Sequence, residues 1–146
     1  MFVINVFGNI EFAANSTIFE WKIRVGVWSK GQRRKKYAAA HYESAKVVIN
    51  LTKNKGAGNL GHEWFHSLDN YFGRQERNIT SAMATANSEG KSVEKISPEV
   101  QETFQLVRRV INQSGILERS KKFDGRRSKI YWTLPDEIAA RAFEVI

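Results

Sequence analysis

Residues 59–73 limit what this chain can fold into more than any other stretch. They read Asn59-Leu60-Gly61-His62-Glu63-Trp64-Phe65-His66-Ser67-Leu68-Asp69-Asn70-Tyr71-Phe72-Gly73. A side-chain acceptor opens the run and a glycine closes it, which predicts a helix over 59–72 with Asn59 as N-cap and Gly73 as the C′ residue. Leu60, Trp64, Leu68 and Phe72 recur at helical spacing and predict an apolar stripe that packs inward. His62, His66, Asp69 and Gly73 line a different face. Strand patterns precede this helix and helical patterns follow it.

Before the helix, residues 2–7 read as a strand. Residues 19–28 alternate apolar and charged side chains, with Trp21, Ile23, Val25 and Val27 on one face, the period of a half-buried strand. Residues 37–42 and 47–52 flank Glu43-Ser44-Ala45-Lys46 and predict a hairpin. Residues 53–58 make a turn into the helix. After it, residues 74–96 are polar, small and aperiodic and read as a long loop. Ser97-Pro98-Glu99 opens a second helix, striped by Val100, Phe104, Val107 and Ile111 and ended by Gly115. A basic loop is expected next. Tyr131-Trp132-Thr133-Leu134-Pro135-Asp136-Glu137 then opens a third helix, with Thr133 as cap and Asp136 in the capping-box position. The parts 1–36, 37–73, 74–96 and 97–146 are expected to form one domain. The chain stops inside a helix, so a larger parent polypeptide is expected.

Composition narrows the chemistry. A chain of 146 residues with 42% hydrophobic content can build a core, which excludes wholesale disorder. It holds no cysteine, so disulfides, thiol nucleophiles and thiolate ligands are ruled out, and any metal must use histidine and carboxylate. No run approaches the roughly 20 apolar residues of a membrane helix, and residues 1–7 lack the basic flank of a signal peptide. A cytoplasmic protein of a bacterium or phage, with no membrane partner, is expected. The net charge of +8 gathers in residues 30–36 and in Arg119, Lys121, Lys122, Arg126, Arg127 and Lys129. Either cluster could make weak nucleic-acid contact through phosphates, but neither has aromatics interleaved as a stacking platform would. A solvated surface is the expected reading.

His62-Glu63-Trp64-Phe65-His66 is an H-E-x-x-H sequence. On a helix its histidines lie one turn apart and can ligate one Zn²⁺. Glu63 sits beside the metal without ligating it and can act as general base. Asp69, one turn past His66, is a candidate to orient a ligand histidine from behind. The overlapping Gly56-Ala57-Gly58-Asn59-Leu60-Gly61 matches the dinucleotide-binding fingerprint, but no strand or acidic residue follows where that fold needs them. The third ligand must come from elsewhere. Glu137 is the best candidate, ahead of Glu144 and of Asp136. Tyr131 either supports an oxyanion or packs beside Trp132. Arg141 is a candidate partner for a carboxylate near the site. His41 is expected to be a satisfied core histidine.

Ala39-Ala40-His41-Tyr42-Glu43, Val48-Ile49-Asn50-Leu51-Thr52-Lys53, Gly56-Ala57-Gly58, the run from His62 to Gly73, and Tyr131 to Glu137 with Ala140-Arg141-Ala142-Phe143-Glu144 resemble the large polyvalent protein-associated domain 1 family. These domains occur in large proteins of phages and conjugative elements and are regarded as zincin-like metallopeptidases. The His62 segment and the Glu137 helix are also similar to lethal-factor-type zinc peptidases. The resemblance implies His62, His66 and Glu137 as zinc ligands, Glu63 as base and Tyr131 at the oxyanion. It implies an α+β, zincin-like fold, with a small, mainly antiparallel sheet packed on the H-E-x-x-H helix, and a peptide or protein substrate. Two rival readings are a nucleic-acid-binding accessory domain and a metal-stabilised but inactive module of a mobile-element protein.

Overall fold

A computed structural model describes residues 2–4, 10–16, 19–28, 39–52, 56–86, 96–125 and 127–144. Among them the chain is α+β, with four α-helices and one mixed sheet. It divides into two compact units, Met1–Ser67 and Leu68–Ile146, whose boundary falls inside the first helix.

The first unit holds strands β1 (Phe2–Ile4), β2 (Ile10–Ser16), β3 (Phe19–Trp28), β4 (Ala40–Glu43) and β5 (Val48–Thr52), in the sheet order β1-β2-β3-β5-β4. The pairs β1/β2, β2/β3 and β4/β5 are antiparallel. The expected hairpin is β4/β5, turned by Lys46 N–H donating to Glu43 O at 3.1 Å and tied by the Lys46–Glu43 ion pair at 2.9 Å. Its second strand does not remain at the sheet edge. β5 inserts beside β3 and runs parallel to it, with Val25 opposite Ile49. Those two side chains are almost wholly buried, at 1% and 0% exposure, because a parallel pairing is stable chiefly where both faces are covered. The placement expected for the side chains of Trp21, Ile23 and Val27 lies outside the described residues, as do residues 5–7, 30–36 and 87–95.

From β5 the chain passes through Gly56 and a 3-10 turn (Ala57–Asn59) into α1 (Leu60–Arg77). Gly56 N–H donates to Thr52 O at 2.9 Å. A Cβ at Gly56 would lie 2.6 Å from Thr52 N, so the first fingerprint glycine serves a tight turn. Among the described residues no strand follows α1.

α1 corrects two expectations. It does not end at Gly73 but continues to Arg77. Leu60, Trp64, Leu68 and Phe72 are only half-buried, while His62, Glu63, His66, Ser67, Asp69, Asn70 and Glu76 are buried. Within the second unit the reason is visible. The segment around residues 80–85, part of the expected long loop, lies against the Asp69–Gly73 side of α1. Asn70 Nδ2 donates to Thr80 O and Ala82 O at 3.0 and 2.8 Å, and Ala84 N–H donates to Asp69 O at 3.1 Å. A Cβ at Gly73 would stand 2.6 Å from Ala82 O and Ala84 N. Gly73 therefore admits passing backbone; it is not a helix stop.

The rest of the second unit is helical. α2 (Pro98–Gln113) starts at the expected Ser97-Pro98 and is closed by Gly115, whose φ of 67° suits a glycine. Residues 116–124, expected as basic loop, form α3 (Ile116–Asp124); Lys, Arg and Glu are good helix formers even where an apolar stripe is thin. α4 (Pro135–Glu144) begins with proline in its first turn. Among the described residues of this unit, Ala82, Ala84, Ile96, Ile111, Ile138, Ala139 and Ala140 are buried and apolar. Phe72 and Phe104 bring α1 and α2 together, with ring centroids 5.6 Å apart.

Candidate metal centre

Helical spacing puts His62 and His66 on one face of α1, and both are buried. Their Nε2 atoms are 3.1 Å apart, with ring centroids at 4.7 Å and planes at 81°. Two N–H groups cannot face each other at that distance, so at least one of the two Nε2 atoms presents its lone pair. Two imidazoles on a tetrahedral ion at ~2.0–2.1 Å place their donor nitrogens about 3.3 Å apart. The observed spacing is close to that already.

Glu137 stands in the first turn of α4 and is mostly buried. One ligand atom each from His62, His66 and Glu137 falls within 4.8 Å of the others. Two neutral imidazoles and a carboxylate suit a borderline divalent cation that keeps an open fourth position. Glu63, next to His62, is buried as well.

Arg141 lies one turn beyond Glu137 and does pair with it, Nη1 to Oε2 at 3.5 Å. Its Nη2 donates to Trp132 O at 3.0 Å, and its guanidinium lies 4.4 Å from the Trp132 ring centroid. Arg141 is thus also held by Trp132, through that residue's carbonyl and its ring. Tyr131 packs edge-on against Trp132, with centroids 5.6 Å apart, beneath Arg127 at 4.9 Å; the aromatic contact weighed from the sequence is present.

Asp69 does not take the role expected of it. Its Oδ1 accepts Thr85 N–H at 2.8 Å and its Oδ2 accepts the Thr85 hydroxyl. It clamps the returning segment, and among the described residues no hydrogen bond joins it to a histidine. Burial raises its carboxyl to about 6, against the lowering effect of the Thr85 bonds and with a further push from Asp136. Thr133 also departs from its expected capping role. Its N–H and hydroxyl donate to Asp124 Oδ2 at 2.9 and 2.8 Å, while Tyr131 and Trp132 N–H donate to Oδ1, each at 2.9 Å. Desolvation pushes the Asp124 carboxyl up, but these donors outweigh it and bring it to about 2.

His41 pairs across the β4/β5 hairpin with Asn50, Nε2 to Nδ2 at 3.2 Å, and is half-buried. Glu144 is exposed. Sequence reasoning missed Asn70, Thr85, Arg108 and Asp124, which fasten the segments around the site. Arg108 Nη1, for example, donates to Ala84 O at 2.9 Å. Asn70 and Gly73 were in view beside the histidines, but a side chain that holds passing backbone has no spacing signature.

No protein-family model, curated protein or solved structure matches the chain. Among the described residues no helix is long and apolar enough to cross a membrane.

Proposed function

We propose that this chain is a zinc-dependent metallopeptidase domain, zincin-like in arrangement and of the large polyvalent protein-associated domain 1 type, acting on peptide or protein substrates in the cytoplasm. The observation that carries the reading is the convergence of His62, His66 and Glu137 donor atoms within 4.8 Å, two of them one helical turn apart in an H-E-x-x-H sequence. Ion-ligating trios arise by chance on acidic surfaces, but these histidines are buried and Glu137 is largely so, which a solvated coincidence does not require.

A bound zinc ion would supply a Lewis acid and an acidified water at neutral pH. The chain's own residues do the rest. His62 and His66 present neutral imidazoles from a rigid helix. Glu137 adds a carboxylate that Arg141 holds in place. Glu63 takes the proton from the attacking water and returns it to the leaving amine, so no covalent intermediate is needed. Tyr131 is the proposed donor to the developing oxyanion.

The test is peptide cleavage by wild type and Glu63→Gln across a mixed peptide library, with metal content measured on the same samples. The reading expects Glu63→Gln to keep its zinc and lose cleavage by at least about a hundredfold, within the range that general base catalysis contributes. Equal cleavage by both proteins contradicts it. Zinc bound with no cleavage by wild type would favour a metal-stabilised, inactive module.

A further inference from the structure

The second basic cluster has a form in the fold that its sequence hides. Arg119, Lys122 and Phe123 stand at i, i+3 and i+4 on α3 and so share one face of that helix. Phe123 is 62% exposed, unusual for a phenylalanine at the end of a charged helix. Its ring is 5.5 Å from that of Trp132, which meets Tyr131, which in turn lies under Arg127. Arg119, Lys121, Lys122, Arg127 and Lys129 are all exposed. Of the nearby carboxylates, Glu118 neutralises Lys121 at 2.5 Å, and Asp124 is spent on the donors of Tyr131, Trp132 and Thr133. Among the described residues Arg119, Lys122 and Lys129 have no carboxylate partner. Aromatic rings and unneutralised cations therefore alternate over one patch of the second unit.

We infer that this patch, the C-terminal end of α3 with the loop at 127–132, binds single-stranded DNA. The cations track the phosphates, and Phe123 offers an open ring face to an unstacked base. A duplex would use the cations but not the ring, because its bases are already stacked. A membrane surface would need a broad apolar helix face, and Ile116 and Leu117 of α3 are half-buried. Arg119, Lys122 and Phe123 take no part in the proposed metal centre.

The experiment is fluorescence anisotropy of a labelled oligodeoxythymidine and of a labelled duplex of equal length, titrated with the full chain at rising salt and repeated with a chelator. The inference expects tighter binding to the single strand, a slope of log K against log salt of about −2 to −3 from three or four phosphates, and no chelator effect. Phe123→Ala should weaken single-strand binding about fivefold or more and leave duplex binding alone, with Phe123→Tyr restoring it. Arg119→Ala with Lys122→Ala should flatten the slope by about 1.4. Because these side chains are exposed, circular dichroism should match wild type. Binding unchanged in both variants places the contact elsewhere, in residues 30–36, and overturns the inference. Equal affinity for duplex and single strand, or no binding at low salt, does so too.

Discussion

Thr85 donates to both carboxylate oxygens of Asp69, its N–H to Oδ1 at 2.8 Å and its hydroxyl to Oδ2. The contact closes the chain's return against α1 one turn beyond His66, and it does so with a carboxyl held near 6 by burial. The folded-state value lies above the ordinary 3.8. The stabilisation is therefore complete below about pH 4 and is lost as pH rises through about 6, by about 3 kcal/mol for a shift of roughly two units. In chelator, the melting temperature of wild type should fall relative to that of Asp69→Asn between pH 4 and 7. The amide can keep both Thr85 bonds without a charge. A wild type that gains on the variant over that window contradicts the assignment.

Asp124 has the opposite dependence. Four donors from Tyr131, Trp132 and Thr133 hold its carboxyl at about 2, below the ordinary 3.8. Its contribution is present above that ordinary value and disappears as pH falls toward 2. Amide hydrogen exchange at Tyr131, Trp132 and Thr133 should accelerate over that range, before α2 opens. Asp124→Asn, which presents an NH₂ group to two of the donors, should show the faster exchange at neutral pH as well. Unchanged protection in the variant would mean that these bonds do not order the segment.

Gly73 and Gly58 make a matched pair. A Cβ at Gly73 would stand 2.6 Å from the backbone of 82–84, while one at Gly58 meets nothing within 4 Å. Inside a helix, glycine to alanine ordinarily gains about 1 kcal/mol. At Gly73 overpacking costs typically ~1–3 kcal/mol, and displacement of the Asn70 and Asp69 bonds adds to it. Urea unfolding should therefore show Gly73→Ala destabilised and Gly58→Ala near wild type. A stabilised Gly73→Ala would show that residues 80–85 do not pack as described.

The parts legible in the sequence were those encoded locally. The β4/β5 hairpin, the Ser97-Pro98 start and Gly115 end of α2, the histidine spacing and the Glu137–Arg141 neighbourhood each depend on residues within one turn or one strand pair. The insertion of β5 between β3 and β4 depends on pairing across residues 29–47, which no periodicity records. The end and the buried side of α1 both differ from the sequence pattern for one reason. Asp69, Asn70 and Gly73 serve backbone arriving from nine or more residues away, so polar side chains are buried where the apolar stripe predicts the core. Residues 116–124 read as a loop because their charges hide a weak apolar pattern. In the same way Phe123 and Trp132, nine positions apart, showed no interleaving until the fold brought their rings together.

The convergence of His62, His66 and Glu137 is tested most directly by elemental analysis of bound zinc per chain, for wild type, His66→Ala and Glu137→Ala purified side by side. About one zinc in wild type is expected, lost in His66→Ala and weakened in Glu137→Ala, with all three proteins folded by circular dichroism. A folded wild type that takes up no zinc even when it is supplied, or a Glu137→Ala variant that holds it as tightly as wild type, contradicts the three-residue site.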